Sequence, residues 1–275
     1  MDGNRRYARK YGLNTALDGH ARGFEQLSLA LKWCRDFGVQ FVTVYAFSLE
    51  NFKRSKEEVD GLMELARTKF EELLNEKESI SEHGVRFRFF GDLARLPFDV
   101  RCLIAEIELL TEHNDKANIN VCLAYTSHDE MARAARCMLR AVEMGQLHAD
   151  DITDELTSQC LDSGECTEPD LLVRTSGERR MSDFLLWQSS FTCLHFVDVL
   201  WPEFNFWHLS CAILNYQWHH ANIAECRKQY EQSQAPPTAA STARIQAFLR
   251  ATRAEQRKQR QQLVELRYNT AAVAQ

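Results

Sequence analysis

The sequence lacks most of the features that announce a function. It has no CxxC pair, although nine cysteines are spread over its 275 residues. A zinc site is therefore not expected. Single cysteines inside apolar segments, such as Cys34, Cys102, Cys122, Cys137 and Cys211, read as buried free thiols in a reducing compartment. No apolar run is long enough to cross a bilayer, and the first residues do not read as a secretory leader. The expectation is a soluble chain, or one that reaches membranes through a partner or an amphipathic surface. Positive charge is not in excess, since 33 Lys and Arg stand against 39 Asp and Glu. Nucleic acid is not the expected partner, and any basic site has to be local. No internal repeat is visible.

What is present is an ordinary globular composition, 45% hydrophobic and 26% charged. Apolar residues at Phe24, Leu27, Leu31 and Cys34 keep a helical period over 24–37, and Gly38 stops it. The run FVTVYAF over 41–47 is β-branched and aromatic, as a buried strand requires. Ser55 to Glu58 reads as a capping box. The helix that follows is expected to run to residue 82, ended by Gly84, a length of roughly 40 Å at 1.5 Å per residue. Further strands are expected at 85–89, 119–124, 171–173 and 194–196, and helices at 103–113, 129–143, 152–161, 184–190 and 206–230. The alternation predicts an α/β fold, a central and mainly parallel sheet wrapped by helices. A Pro-containing linker over 233–238 separates a domain of residues 1–232 from a helical Arg/Gln-rich tail over 239–275. That tail reads as a solvated helix, an oligomer contact or a surface for anionic lipid.

Ligands of such sheets lie beyond the carboxyl ends of the strands. That rule gathers residues 48–54, 125–129 and 174–182 on one rim. Three basic loop clusters stand out: Asp2-Gly3-Asn4-Arg5-Arg6, Glu50 to Arg54, and Arg174 to Ser182. Any one of them alone is commonly a solvated face. Together they mix arginine with Gly, Asn and hydroxyl residues, the mixture that suits phosphate oxygens. A diphosphate site is expected, with Asp2 placed to share a Mg²⁺ with it.

The stretches MDGNRRYA (1–8), GH (19–20), TVYAFSLENFKRSKEEVDGLM (43–63), GDLARLP (91–97), NVCLAYTS (120–127), RTSGERRMSDFLLWQ (174–188) and VLWPEF (199–204) resemble the cis-prenyltransferase family, in its animal dolichol branch. The resemblance covers about residues 1–230. It implies a transferase that adds isopentenyl diphosphate in cis to farnesyl diphosphate, with Mg²⁺, for dolichol synthesis and protein glycosylation. It assigns metal binding to Asp2, and the allylic diphosphate to Gly3, Asn4, Arg5, Arg6, His20, Ser48 and Arg54. Asn51 assists loss of diphosphate, so Asp2, Asn51 and Arg54 are the expected catalytic residues. Arg174, Arg180 and Ser182 are assigned to isopentenyl diphosphate. Val59, Leu62, Met63, Ala66, Phe70 and Phe47 either line a product tunnel or simply pack. Trp187, Trp201 and Trp207 read as packing residues.

Three departures from the pattern carry expectations. Family members have a strand before MDGNRR, so a sheet one strand short and a frayed Asp2 are expected. Bacterial members carry glutamate where this chain has Cys193, and arginine where it has Ala16. The closing RYNTAAVAQ lacks the Arg-x-Gly motif of homodimeric members. The resemblance therefore implies a heteromer, with a Nogo-B-receptor-like subunit supplying that motif and the anchor to the cytoplasmic face of the endoplasmic reticulum. A non-catalytic or truncated scaffold subunit is the alternative reading.

Overall fold

The computed structural model describes residues 1–166, 168–233 and 238–273, with side chains as far as Asn269. Helix α1 (Asn4–Lys10) lies against α2 (Ala16–Asp36), whose first turn is closed by a reciprocal Thr15–Asp18 capping box. Strand β1 (Phe41–Ser48) leads through a short 3-10 turn (Leu49–Lys53) into α3 (Lys56–Asn75). The long helix expected to reach residue 82 is broken. Glu76 leaves helical geometry at ψ 20°, and α4 (Lys77–His83) starts afresh with Ile80 turned into the protein. Strand β2 (Val85–Phe90), α5 (Phe98–Thr111), β3 (Ala117–Tyr125), α6 (Ser127–Glu143) and α7 (Asp154–Cys160) follow. The chain then runs through β4 (Leu171–Arg174), β5 (Cys193–Phe196), α8 (Phe206–Ser233) and α9 (Ala239–Val273).

The α/β expectation is met, with all observed pairings parallel. The sheet is in two pieces, β1-β3-β2 and β4-β5. Strand β3 is central and buried from Cys122 to Tyr125, with Val121 half-buried, which is why Val121 to Tyr125 is a continuous apolar run. The main core lies between β1–β3 and α3 and α5, around Phe47, Met63, Phe89, Val100, Ile104 and Leu123. The segment 184–190 is not the helix expected from its apolar sequence. Leu185 sits at φ 46°, in the left-handed region, and the Leu186 N–H donates to Ser127 Oγ rather than up a helix.

The linker expected over 233–238 falls mainly on 234–237, outside the described residues. The tail is helical as expected, and one side of it docks on the domain while most of its other residues stay exposed. Ile245, Phe248 and Leu249 of α9 enter a core with Met138, Ala141, Leu147 and Leu156. Beyond them α9 runs along α5, with arginines facing carboxylates. Arg244 grips Asp151 by two bonds of 2.9 and 2.7 Å, Arg257 grips Glu112 likewise, and Arg260 and Arg267 meet Glu108 and Glu106. Arg244 and a Ser241 hydroxyl hold the buried Asp151 carboxyl well below the usual range. All nine cysteines are free, but Cys211 and Cys226 are exposed, so the buried-thiol expectation fails at Cys211. Among the described residues no helix is long and apolar enough to cross a membrane.

Candidate functional site

The expected rim forms at the strand ends, and the segment before α1 joins it. Asp2 is not frayed. Its carbonyl accepts hydrogen bonds from Ser176 Oγ at 2.7 Å and from the Trp201 N–H at 3.0 Å. Its own N–H donates to Thr175 Oγ1. Gly3 then turns the chain into α1 at φ 96°. A Cβ at Gly3 would lie 2.4 Å from Ser176 Oγ, so only glycine fits. Asn4 nestles against α2 because Gly19 and Gly23 carry no side chain. A Cβ at either would come within 2.4 Å of an Asn4 oxygen.

The side chains gather in two groups, and α1 contributes an arginine to each. In the first, Asp2 Oδ2 lies 3.3 Å from Arg174 Nη2, and Asp2 Oδ1 lies 3.7 Å from Arg6. Arg6 also pairs with Glu178 at 3.3 Å, and Glu178 pairs with Arg180. Arg174 Nη1 donates to Ser182 Oγ at 2.9 Å and to the Arg180 carbonyl. In the second group, Glu58 takes a 2.8 Å hydrogen bond from Arg54 and lies 3.7 Å from Arg5. His20 lies beside it, 4.0 Å away. Five arginines thus share three carboxylates.

His20 carries no charge at neutral pH. Burial, and then the nearby Arg54, pull its pKa down to about 4. The Asn4 amide faces its Nδ1 at 3.4 Å, while its buried Nε2 has no partner. With Asn4 donating to Nδ1, Nε2 carries the proton and points a free donor at the rim. Ser48 and Asn51 shape the turn that delivers Arg54. The Ser48 N–H donates to Asn51 Oδ1, and Ser48 Oγ accepts from the Glu50 N–H.

Each expected site residue therefore lies in one of these two groups or on the turn that feeds them. Glu58 and Glu178 were not singled out as site residues. The Ser55-to-Glu58 box is half formed: Ser55 Oγ accepts the Glu58 N–H, but the Glu58 carboxylate turns to Arg54 instead. The i,i+4 spacing of Arg54 and Glu58 was the readable signal. Cys193 is at the far end of the β4–β5 pair from Arg174, bonded to Asn215, so it is not beside Asp2. Phe47 and Met63 are buried and the half-buried Val59, Leu62 and Phe70 pack on them. Trp201 packs, its Nε1–H bonded to the Gly23 carbonyl, and Trp187 bonds Ser158. Trp207, expected to pack, is 73% exposed.

Five arginines on three carboxylates leave guanidinium donors free for anion oxygens. The profile of the family described as "Putative undecaprenyl diphosphate synthase" matches residues 1–224. The chain belongs to this cis-prenyltransferase family. It is 51% identical over 230 residues to the human dehydrodolichyl diphosphate synthase complex subunit, covering 84% of this chain and 69% of that one. It is 44% identical over 204 residues to a Pyrococcus horikoshii tritrans,polycis-undecaprenyl-diphosphate synthase described as geranylgeranyl-diphosphate specific, covering 74% and 76%. The crystal structure of lavandulyl diphosphate synthase from Lavandula x intermedia, in complex with dimethylallyl diphosphate, aligns with a TM-score of 0.74 at 32% identity. That alignment covers 78% of this chain and 92% of the other.

Proposed function

We propose that this chain is the catalytic subunit of a dehydrodolichyl diphosphate synthase, lengthening farnesyl diphosphate with isopentenyl diphosphate in cis for dolichol synthesis. The observation that carries this reading is the half-exposed Asp2 carboxylate, held at the rim against both Arg174 and Arg6. The group at Arg5, Arg54, His20 and Asn4 takes the allylic diphosphate. The orphan His20 Nε2 and the arginines shared on Glu58 gain an oxygen partner there. The group at Arg174, Arg180 and Ser182 takes isopentenyl diphosphate.

Breaking the allylic C–O bond puts negative charge on the departing diphosphate and positive charge on carbon. Guanidinium groups fixed before the reaction stabilise the first. Holding both diphosphates on one rim turns a bimolecular step into positioning. The isopentenyl double bond then attacks the allylic carbon, and a proton is lost. The apolar cluster of Phe47, Val59, Leu62, Met63 and Phe70 gives the growing chain a dry wall. Among the described residues no group of three or more His, Cys, Asp or Glu gathers as a metal cage. Mg²⁺ is commonly held by one or two carboxylates plus substrate phosphates, and Asp2 fits that donor set. When bound, it supplies charge neutralisation to both anions.

A partner fits the outer face of α8, where Trp207, Leu214 and Trp218 follow one helical stripe and Trp218 is 84% exposed. The human relative and its mouse and fission-yeast counterparts are named complex subunits. A Nogo-B-receptor-like subunit docked there supplies the Arg-x-Gly motif and the membrane anchor at the endoplasmic reticulum. The test is incorporation of labelled isopentenyl diphosphate onto farnesyl or geranylgeranyl diphosphate, with and without Mg²⁺ and the partner. Farnesyl-dependent long-chain product that disappears in Asp2→Ala supports the reading. Partner binding with no product in any combination contradicts it and favours a scaffold.

A further inference from the structure

The loop carrying Arg180 and Ser182 is held in a conformation that its own residues disfavour. Ser182 at φ 49°, Asp183 at φ 59° and Leu185 at φ 46° are all left-handed, and none is glycine. The restraint comes from the start of α6. The Ser127 N–H donates to the Asp183 carbonyl at 2.8 Å, and the His128 N–H donates to Asp183 Oδ1 at 3.0 Å. The His128 ring nitrogen Nδ1 lies 2.6 Å from the same oxygen. The Asp183 carboxylate thus occupies the N-terminus of a 17-residue helix, where the helix dipole and unpaired N–H groups favour an anion. On the other side, Leu185 is buried with Phe90, Cys122 and Tyr125, and Phe184 stacks on Tyr45 at 4.6 Å. Ser182 is the residue immediately before this clasp, and its hydroxyl meets Arg174.

We propose that Asp183 is a positioning residue for isopentenyl diphosphate: its clasp on the first turn of α6 sets where Ser182 and Arg180 present themselves to the diphosphate. Asp183 makes no contact with the rim arginines and acts through its neighbours. The inference rests on the reading of Arg174, Arg180 and Ser182 as the isopentenyl diphosphate position. It predicts a selective defect, because the allylic group at Arg5, Arg54 and His20 belongs to α1, α2 and the turn after β1, none of which the clasp holds.

The test is calorimetric titration of the full chain with isopentenyl diphosphate and, separately, with farnesyl thiodiphosphate, both in Mg²⁺. Asp183→Ala is expected to weaken isopentenyl diphosphate binding about tenfold, the loss of one charge-assisted hydrogen bond, and to leave farnesyl thiodiphosphate within about twofold. Asp183→Asn keeps an acceptor oxygen and tolerates the left-handed backbone, so it restores most of the affinity. Asp183→Gly removes the side chain without adding backbone strain. It separates the clasp from misfolding, and is expected to behave as the alanine variant does. Unchanged isopentenyl diphosphate affinity in Asp183→Gly, or equal weakening of both ligands, overturns the inference. If the unmodified chain binds no isopentenyl diphosphate, the reading of the rim fails first, and the inference falls with it.

Discussion

Arginine–carboxylate pairs build both the rim and the seam between α9 and the domain, and they are arranged differently. Along α9 the pairing is nearly one to one: Arg244 with Asp151, Arg257 with Glu112, Arg260 with Glu108 and Arg267 with Glu106. Among the described residues only Glu165 is shared, between Arg253 and the strand residues Arg86 and Arg88. An apolar core backs the seam. At the rim each carboxylate serves two arginines and positive charge is left over; buried polar atoms without a partner occur in both regions, at Asn4 and His20 in the rim and at Arg260 Nε in the seam. Matched pairs are spent on docking, whereas shared arginines with spare donors remain able to take phosphate oxygens. Arginine count alone does not separate the two regions; the ratio of arginine to carboxylate does.

The sharpest way to break this comparison is to remove one arginine from the rim. Arg54→Ala is expected to lower kcat about 10²–10³-fold, the usual loss when one donor to developing charge is deleted, with little change in melting temperature. Steady-state kinetics beside a thermal melt decide it. The seam should respond the opposite way. Phe248→Ala removes a buried ring from the core under α9 and is expected to cost about 3 kcal/mol in a urea titration, with kcat per folded molecule unchanged.

The pH response separates the regions again. The unfolded chain takes a proton on His20 near pH 6.5, while the folded chain resists until about 4. Between those values the unfolded state binds more protons, so stability falls as pH falls. The chain should lose about 2 kcal/mol relative to His20→Gln on going from pH 7 to pH 5, read from urea midpoints. The smallest effect is expected at an exposed seam pair. Arg257→Ala should leave the melting temperature within about 2 °C, because such pairs contribute little in water.

The rim was readable because each basic loop follows a β-branched or aromatic strand, or opens a helix, and strand ends of a parallel sheet converge. Glu58 was not read as a site residue because its place in Ser55-Lys-Glu-Glu58 fits an N-terminal cap equally well. The turn at 184–190 was missed because FLLWQ has helical apolar content, and nothing in Ser182, Asp183 or Leu185 signals a left-handed backbone. The docking of α9 was missed for a different reason. Its carboxylate partners lie far back in the chain, so locally its arginines read as a solvated face. The break at Glu76 had one weak signal, the poor helix former Asn75, outweighed by Leu73, Leu74, Lys77 and Glu78 around it.

The most direct test of the central claim is hydrogen–deuterium exchange of the full chain, with and without farnesyl thiodiphosphate and isopentenyl diphosphate in Mg²⁺. Protection gained over residues 2–6, 48–54 and 174–183, with no gain over 239–269, is the predicted result. Protection gained along the arginines of α9 while the rim stays unchanged would contradict the account.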